Sequence, residues 1–280
     1  MKYALMTYTI ARQCEDSKVD MVQMCKLANE LGLDAMDQVY LYGYEASEVK
    51  RIADDYGIKI ICYTFGTDVN FPDSQSRAQG VDIFKREIDA ACILGAPRVM
   101  LPIGGKPQFT REESRRNVID GLKDLVPIGR AAGIDVSIEH FTAVNSPFIL
   151  STDMDEAIAE VPGLCITFDS GNMLTGGEDP IKAFLNNKNQ IIHAHFKDWT
   201  LAAPGESGLV GLDGRTYKGA LIGEGIIDYP TLIRTMTEAG YNGYIDIEYE
   251  SDDYKADFAT KKALDYLRNL EVSSSIVPDL

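Results

Sequence analysis

Two of the three histidines of the chain lie in one short apolar segment, residues 191–198, with the sequence Ile-Ile-His-Ala-His-Phe-Lys-Asp. Alternate residues of a β-strand share a face, so we expect His193, His195 and Lys197 to point together, opposite the apolar residues. Imidazoles and an ammonium group on the inner face of a buried strand need polar partners. The segment therefore predicts a polar site whose remaining groups come from other parts of the chain.

Carboxylates interrupt three further apolar segments that have the character of strands. Glu139 follows Val136-Ser-Ile, Asp169 follows Leu164-Cys-Ile-Thr-Phe, and Glu248 follows Tyr244-Ile-Asp-Ile. For any one of them, a solvated carboxylate at a strand end is as good an explanation as a ligand. Three such residues in strands that also neighbour the strand of His195 favour a shared site.

The elements that would position these residues repeat along the chain. Amphipathic helical stretches end near a glycine, as at Gly57, Gly95, Gly133 and Gly240, and a β-rich segment follows. Glycine accepts the left-handed conformation that ends a helix. We predict eight strands, at about residues 2–10, 34–40, 59–65, 98–103, 135–141, 164–169, 191–197 and 244–250.

Strands that alternate strictly with helices form parallel sheets with right-handed crossovers. Eight such units favour an α/β fold, a single-domain (β/α)₈ TIM barrel, over residues 1–270, followed by a C-terminal extension, residues 271–280. An open doubly wound sheet is the alternative, but no G-x-G-x-x-G motif follows the first strand. In a barrel the active site lies at the C-terminal ends of the strands.

On that fold the four residues converge, and three carboxylates with one imidazole suit a divalent cation of mixed oxygen and nitrogen preference. Mn²⁺, Mg²⁺ and Co²⁺ fit this donor set. Zn²⁺ fits it less well because no thiolate is present, although it stays a candidate. The predicted ligands are Glu139, Asp169, His195 and Glu248.

Composition limits the partners and the compartment. A net charge of −16 argues against nucleic acid. No apolar run approaches the roughly 20 residues of a membrane span, and the apolar residues 1–10 predict a first strand and not a signal peptide. Five scattered cysteines without a C-x-x-C pair predict reduced thiols in a cytoplasmic protein. The sequence leaves a homo-oligomer open.

Three motifs resemble those of a known family. They are His193-Ala-His-Phe-Lys-Asp198, Gly223-Glu-Gly-Ile-Ile-Asp228 and Gly240-Tyr-Asn-Gly-Tyr-Ile-Asp-Ile-Glu248. The chain is similar to the xylose isomerase-like TIM-barrel family of sugar (phosphate) isomerases and epimerases. The resemblance extends over nearly the whole chain and is densest from Glu139 onward. In ketose 3-epimerases of this family a Glu, an Asp, a His and a Glu on strands five to eight bind one divalent ion, which implies the same four ligands here, with Mn²⁺ as the first choice.

The resemblance implies a metal-dependent isomerase or epimerase that acts on a sugar or sugar phosphate through an enediolate. Glu139 and Glu248 would remove and return the proton beside the carbonyl. Many relatives have a histidine three residues after the strand-six aspartate, where this chain has Asn172. Asn172 is able to bind a substrate oxygen but not to relay a proton. Two alternatives therefore stay open: a lyase, hydratase or decarboxylase acting on a keto-sugar, and a non-catalytic sugar-binding barrel or partner subunit.

Three further residues are candidates for contact with the substrate. Lys197 would bind a substrate oxygen or act as an acid, or else would only pair with Asp198 or Glu224. His140 becomes a candidate base only if the local twist of its strand brings it over the site. Phe65 would stack on a sugar ring or pack over the rim.

The long segment 199–227 carries many glycines and follows the strand of His195. Loops of this length at a catalytic rim are usually functional. We therefore expect it to form a lid or a specificity loop.

Overall fold

The computed structural model describes residues 1–14 and 18–274 of the chain. Eight strands form its barrel: β1 Lys2–Met6, β2 Ala35–Val39, β3 Lys59–Thr64, β4 Arg98–Leu101, β5 Asp135–Glu139, β6 Leu164–Asp169, β7 Ile191–Phe196 and β11 Tyr244–Ile247. They pair in parallel in the closed order β1-β11-β7-β6-β5-β4-β3-β2. The predicted single-domain (β/α)₈ TIM barrel is confirmed.

Helices surround the barrel and bury their apolar faces against it. They are α1 Thr7–Ala11, α2 Met21–Glu30, α3 Ala46–Asp55, α4 Ser74–Leu94, α5 Arg111–Ala131, α6 Ser151–Glu160, α7 Ser170–Thr175, α8 Pro180–Asn187, α9 Tyr229–Glu238 and α10 Ala256–Ser274. Helix α4 is capped at its start by Asp73, whose carboxylate accepts from the Ser76 backbone N–H, and at its end by Gly95 with φ 72°. The glycine signals therefore mark real helix ends.

The first strand is shorter than the sequence predicts, because a threonine replaces its backbone pairing. Strand β1 ends at Met6, and α1 begins at Thr7. The Thr7 hydroxyl donates to the carbonyl of Asp37 at 3.0 Å and accepts from the backbone N–H of Val39 at 2.8 Å. The chain then turns across the end of the barrel, which places Tyr8 in the wall of a cavity there.

A small antiparallel sheet follows the seventh barrel strand. It consists of β8 Asp198–Leu201, β9 Leu209–Val210 and β10 Thr216–Ala220, in the order β8-β10-β9. The buried carboxylate of Asp198 ties the two ends of this excursion together by accepting backbone N–H groups. Its donors are Trp199 at 2.9 Å, Gly223 and Gly225 at 3.1 Å, and Ile227 at 3.2 Å.

The last helix, α10, runs past the boundary at residue 270 that we predicted for the barrel domain. Residues 275–280, most of the predicted C-terminal extension, lie outside the described part of the chain, and the boundary stays a prediction. Among the described residues, no helix is both long and apolar enough to cross a membrane. The five cysteines are all free thiols.

Candidate functional site

Four predicted ligands meet at the C-terminal end of the barrel. The register places Asp169 of β6 opposite His195 of β7. The His195 Nδ1 atom lies 3.2 Å from Glu139 Oε2 and 3.9 Å from Glu248 Oε2. One ligand atom each from Glu139, Asp169 and His195 lie within 4.8 Å of one another. Their role as ligands stays a prediction, but the structure brings the side chains together.

The donor set suits a divalent cation. Glu139, Asp169, His195 and Glu248 are all buried. Within the described chain, Glu248 Oε2 accepts no hydrogen bond, and Asp169 Oδ2 has an ion pair with Lys197 at 3.2 Å but no hydrogen bond. A buried carboxylate oxygen without a hydrogen bond is costly. Burial raises the pKa of Asp169 to about 6 and that of Glu248 to about 8. A cation would relieve this desolvation, so the residues present fit a metal.

Lys197 is buried against three carboxylates. Its Nζ lies 3.0 Å from Glu248 Oε1, 3.2 Å from Asp169 Oδ2 and 3.2 Å from Glu250 Oε2. Burial alone would lower the pKa of Lys197, but these carboxylates hold it well above its usual value. The sequence left a pairing with Asp198 or Glu224 open. The structure gives different partners, because the Asp198 carboxylate is occupied by backbone N–H groups.

Two aspartates that we did not single out from the sequence lie behind His195. Its Nε2 atom is 3.4 Å from Asp246 Oδ2 and 3.6 Å from Asp37 Oδ2. His193 Nε2 is 2.7 Å from the same Asp246 oxygen, and the Thr64 hydroxyl donates to Asp37 at 3.0 Å. All of these side chains are buried. His193 is thus an internal partner of the aspartates.

The carboxylates around His195 also favour the protonated form of its ring. Burial by itself would lower the pKa of His195, but the carboxylates of Asp37 and Glu139 raise it well above its usual value. A signal in the sequence could have found both aspartates. Asp246 shares strand parity with Glu248, and Asp37 interrupts the apolar segment Ala35-Met-Asp-Gln-Val39.

A cavity of about 290 Å³ opens at this end of the barrel, and two of the four predicted ligands, Glu139 and Glu248, line it. Besides the ligand pair Glu139 and Glu248, four residues were predicted to contact substrate. Lys197 and Asn172 line the cavity, and His140 and Phe65 do not. The remaining lining residues, none of them predicted as site residues, are Met6, Tyr8, Val39, Tyr40, Thr64, Met100, Pro102, Phe141, Thr142 and Glu250.

Asn172 lines the cavity and is hydrogen-bonded to the residue that follows β5. Its side-chain N–H donates to the carbonyl of His140 at 2.6 Å. Its Oδ1 atom has no hydrogen-bond partner among the residues described. The amide is therefore held in one orientation with an acceptor left over.

His140 and Phe65 lie away from the cavity. The His140 ring is fully buried, packs edge-on against Phe168 at 6.2 Å, and has its pKa lowered by burial to about 3. Phe65 is buried between Tyr63 and Phe84, with ring centroids at 5.2 and 5.8 Å. The segment 199–227, which is described throughout, adds no side chain to the cavity wall. These placements lend no support to a substrate contact by either residue or to a lid role for the segment.

Comparison with known proteins supports the same family as the motifs. Residues 25–270 match the family described as xylose isomerase-like TIM barrel. The chain is similar to the inosose dehydratase of Lacticaseibacillus casei, with 28% identity over an alignment 288 positions long that covers 90% of this chain and 95% of the relative.

Two solved structures share the fold at low sequence identity. The probable 3-DHS dehydratase of Bacillus anthracis superimposes with a TM-score of 0.75 at 18% identity, covering 96% of this chain and 99% of the other. The 3-keto-D-glucoside 4-epimerase of E. coli gives a TM-score of 0.75 at 17% identity, with the same coverage of 96% and 99%. The protein with the buried carboxylate and histidine site described above is thus a member of the xylose isomerase-like TIM-barrel family.

Proposed function

We propose that this protein is a metal-dependent dehydratase, a lyase that removes a proton beside the carbonyl of a keto-polyol and eliminates water. The observation that carries the proposal is the position of Lys197. Its ammonium group lines the cavity and lies 3.0–3.2 Å from Asp169, Glu248 and Glu250. An elimination needs an acid for the departing hydroxyl as well as a base for the proton, and Lys197 places an acid beside the carboxylates.

The similarity to inosose dehydratase, which extends over 90% of this chain, supports elimination from a cyclic keto-polyol. Asn172 supports it as well, because an amide is unable to relay the second proton that an inversion at carbon requires. It offers a hydrogen bond to a substrate hydroxyl instead.

We propose Glu139, Asp169, His195 and Glu248 as the ligands of one divalent cation, with Mn²⁺ as the first choice for this donor set. When bound, such a cation acts as a Lewis acid toward the carbonyl and alcohol oxygens of a substrate. The chain itself contributes the orientation of these four groups, the proton donors and acceptors, and a largely buried site.

Glu139 and Lys197 each carry out one of the two proton transfers. Glu139 lines the cavity and lies beside His195, not beside Lys197, so it is the better base. It takes the proton from the carbon next to the carbonyl, and the electrons of that C–H bond form a carbon–carbon double bond. The bond from the adjacent carbon to its hydroxyl breaks, and Lys197 protonates the departing oxygen. One substrate gives one unsaturated ketone and one water.

An isomerase or epimerase is the second candidate, because Glu139 and Glu248 both line the cavity. That reaction would return a proton from Glu248 to the same or the neighbouring carbon without loss of water. It requires Glu248 to be released from Lys197, its neighbour at 3.0 Å.

Incubation of the Mn²⁺-loaded protein with a panel of inososes and ketoses in D₂O distinguishes the proposed dehydratase from an isomerase or epimerase. Deuterium exchange with formation of an unsaturated ketone supports the dehydratase. Deuterium incorporation with a new isomer and no water loss would replace it with the epimerase or isomerase. Binding without exchange would indicate a non-catalytic barrel.

A further inference from the structure

We propose that the cavity accepts uncharged polyols and rejects ligands that carry a phosphate or carboxylate group, and that Glu250 sets this preference. The inference rests on the proposed function for its substrate class, a keto-polyol. It adds the charge of that substrate and one residue that selects it.

The cavity wall carries more negative than positive groups. Among the described residues that line it, Lys197 is the one cationic side chain, whereas Glu139, Glu248 and Glu250 are carboxylates. A phosphate or carboxylate site usually presents arginine or lysine groups that are free to bind the anion. Here the ammonium of Lys197 already lies within 3.2 Å of three carboxylates.

Filling the metal site does not reverse this balance. A divalent cation and Lys197 together supply three positive charges, against four carboxylates from Glu139, Asp169, Glu248 and Glu250. Glu248 Oε2, which accepts no hydrogen bond among the described residues, suits the cation, and Asp169 Oδ2 would exchange its ion pair with Lys197 for it. Glu250 then stays as the partner of Lys197, and an incoming anion meets no unpaired positive charge on the cavity wall.

Glu250 is held in place from a second side. Its Oε2 lies 3.2 Å from Lys197, and its Oε1 accepts a long hydrogen bond of 3.4 Å from the Tyr8 hydroxyl. The side chain is 24% exposed, so it faces the cavity without being free in solvent. A negative charge fixed at this position repels a second negative charge by several-fold to about a hundredfold in affinity, depending on separation and screening.

Three ligands that share the inositol ring test the effect of ligand charge: myo-inositol, an O-methyl-inositol and an inositol monophosphate. Titration calorimetry on the Mn²⁺-loaded full chain gives the dissociation constant of each. The variant Glu250→Gln removes the charge and keeps the shape. Glu238→Gln is the matched control, because it removes one exposed charge at the far end of α9.

In the wild-type protein we expect the phosphate to bind at least about tenfold more weakly than the methyl ether, which matches it as a neutral substituent. Glu250→Gln should lower the ratio of the dissociation constants for the phosphate and the ether about tenfold, and Glu238→Gln should leave this ratio unchanged. Equal binding of the phosphate and the ether in the wild type would overturn the inference. So would an unchanged ratio in Glu250→Gln, or no binding of the uncharged polyols. The dehydratase is judged separately, by water elimination.

Discussion

His195 has a carboxylate at each nitrogen of its ring: Nδ1 lies 3.2 Å from Glu139 Oε2, and Nε2 lies 3.4 Å from Asp246 Oδ2. Glu139 is a predicted metal ligand, whereas Asp246 lies deeper in the barrel and is fully buried. His195 Nε2 makes no hydrogen bond among the described residues, and Asp246 Oδ2 is instead bonded to His193 Nε2 at 2.7 Å. At 3.4 Å the Asp246 carboxylate still favours a proton on His195 Nε2, which leaves the lone pair of Nδ1 for a cation. Asp246 is thus a positioning residue for His195.

The variant Asp246→Asn should weaken Mn²⁺ binding about ten- to a hundredfold, because the carboxylate that favours a proton on His195 Nε2 is lost. Calorimetric titration with Mn²⁺ measures this without any substrate. Ser137→Ala is the control: it also removes a buried polar group of the barrel, but one that bonds to Val99 and Thr167. A folded Asp246→Asn protein with wild-type affinity would contradict the role.

Replacing Lys197 should separate binding from chemistry. Lys197→Met removes the acid that the elimination requires, so kcat for dehydration should fall by about two to four orders of magnitude. Because Lys197 competes for Asp169 and Glu248, Mn²⁺ affinity should stay the same or rise. Steady-state kinetics and a metal titration measure the two effects, and an active Lys197→Met protein would remove Lys197 from the mechanism.

Burial of His140 should make the free energy of unfolding depend on pH. Its pKa falls from 6.5 to about 3 on folding, so below about pH 6.5 the unfolded chain binds a proton that the folded chain does not. This lowers the stability as the pH falls, by on the order of 3 kcal/mol near pH 4.

The variant His140→Leu lacks this titration and should lose less stability between about pH 7 and pH 4 than the wild type. Urea unfolding at several pH values measures the difference, with the values near pH 8 as the internal reference. Parallel pH profiles for the two proteins would show that His140 does not contribute.

The fold followed from the sequence because its signals are local. Glycines after helices and apolar runs of strand length recur in a fixed order, and Gly95 ends α4 as expected. The four predicted ligands came together because strand parity and chain order are both visible in the sequence. Each is a short-range pattern.

The rest depended on contacts between distant segments. The partners of Lys197 come from β6 and from the residues after β11, so the spacing around Lys197 did not reveal them. His140 is adjacent to Glu139 but points outward against Phe168, as its parity indicated. Strand β1 ended early because of bonds to β2 through Thr7.

Removal of the Asp198 carboxylate should loosen the small sheet before it affects the barrel. Asp198→Ala leaves four backbone N–H groups without their acceptor, at a cost on the order of 3 kcal/mol. Hydrogen exchange at Gly223, Gly225 and Ile227 should accelerate, whereas amides of β5 and β6 should keep their protection. Asp213→Asn, within the same excursion, is the control, and unchanged exchange at the three amides would contradict this role.

The same hydrogen bonds to Asp198 indicate where this chain should tolerate insertions. The start and the end of the excursion after β7 are fastened to one carboxylate, and the backbone N–H of Ile226 also donates to the carbonyl of Trp199 at 2.9 Å. The middle of the excursion also packs on its surroundings, since Tyr217 is buried and the Leu212 backbone N–H donates to the carbonyl of Thr175 at 2.8 Å. Insertions should therefore be tolerated best in the exposed residues 203–208, between the two fastened ends. A new surface element grafted onto this protein is thus best placed in that exposed turn, where it disturbs none of the bonds to Asp198.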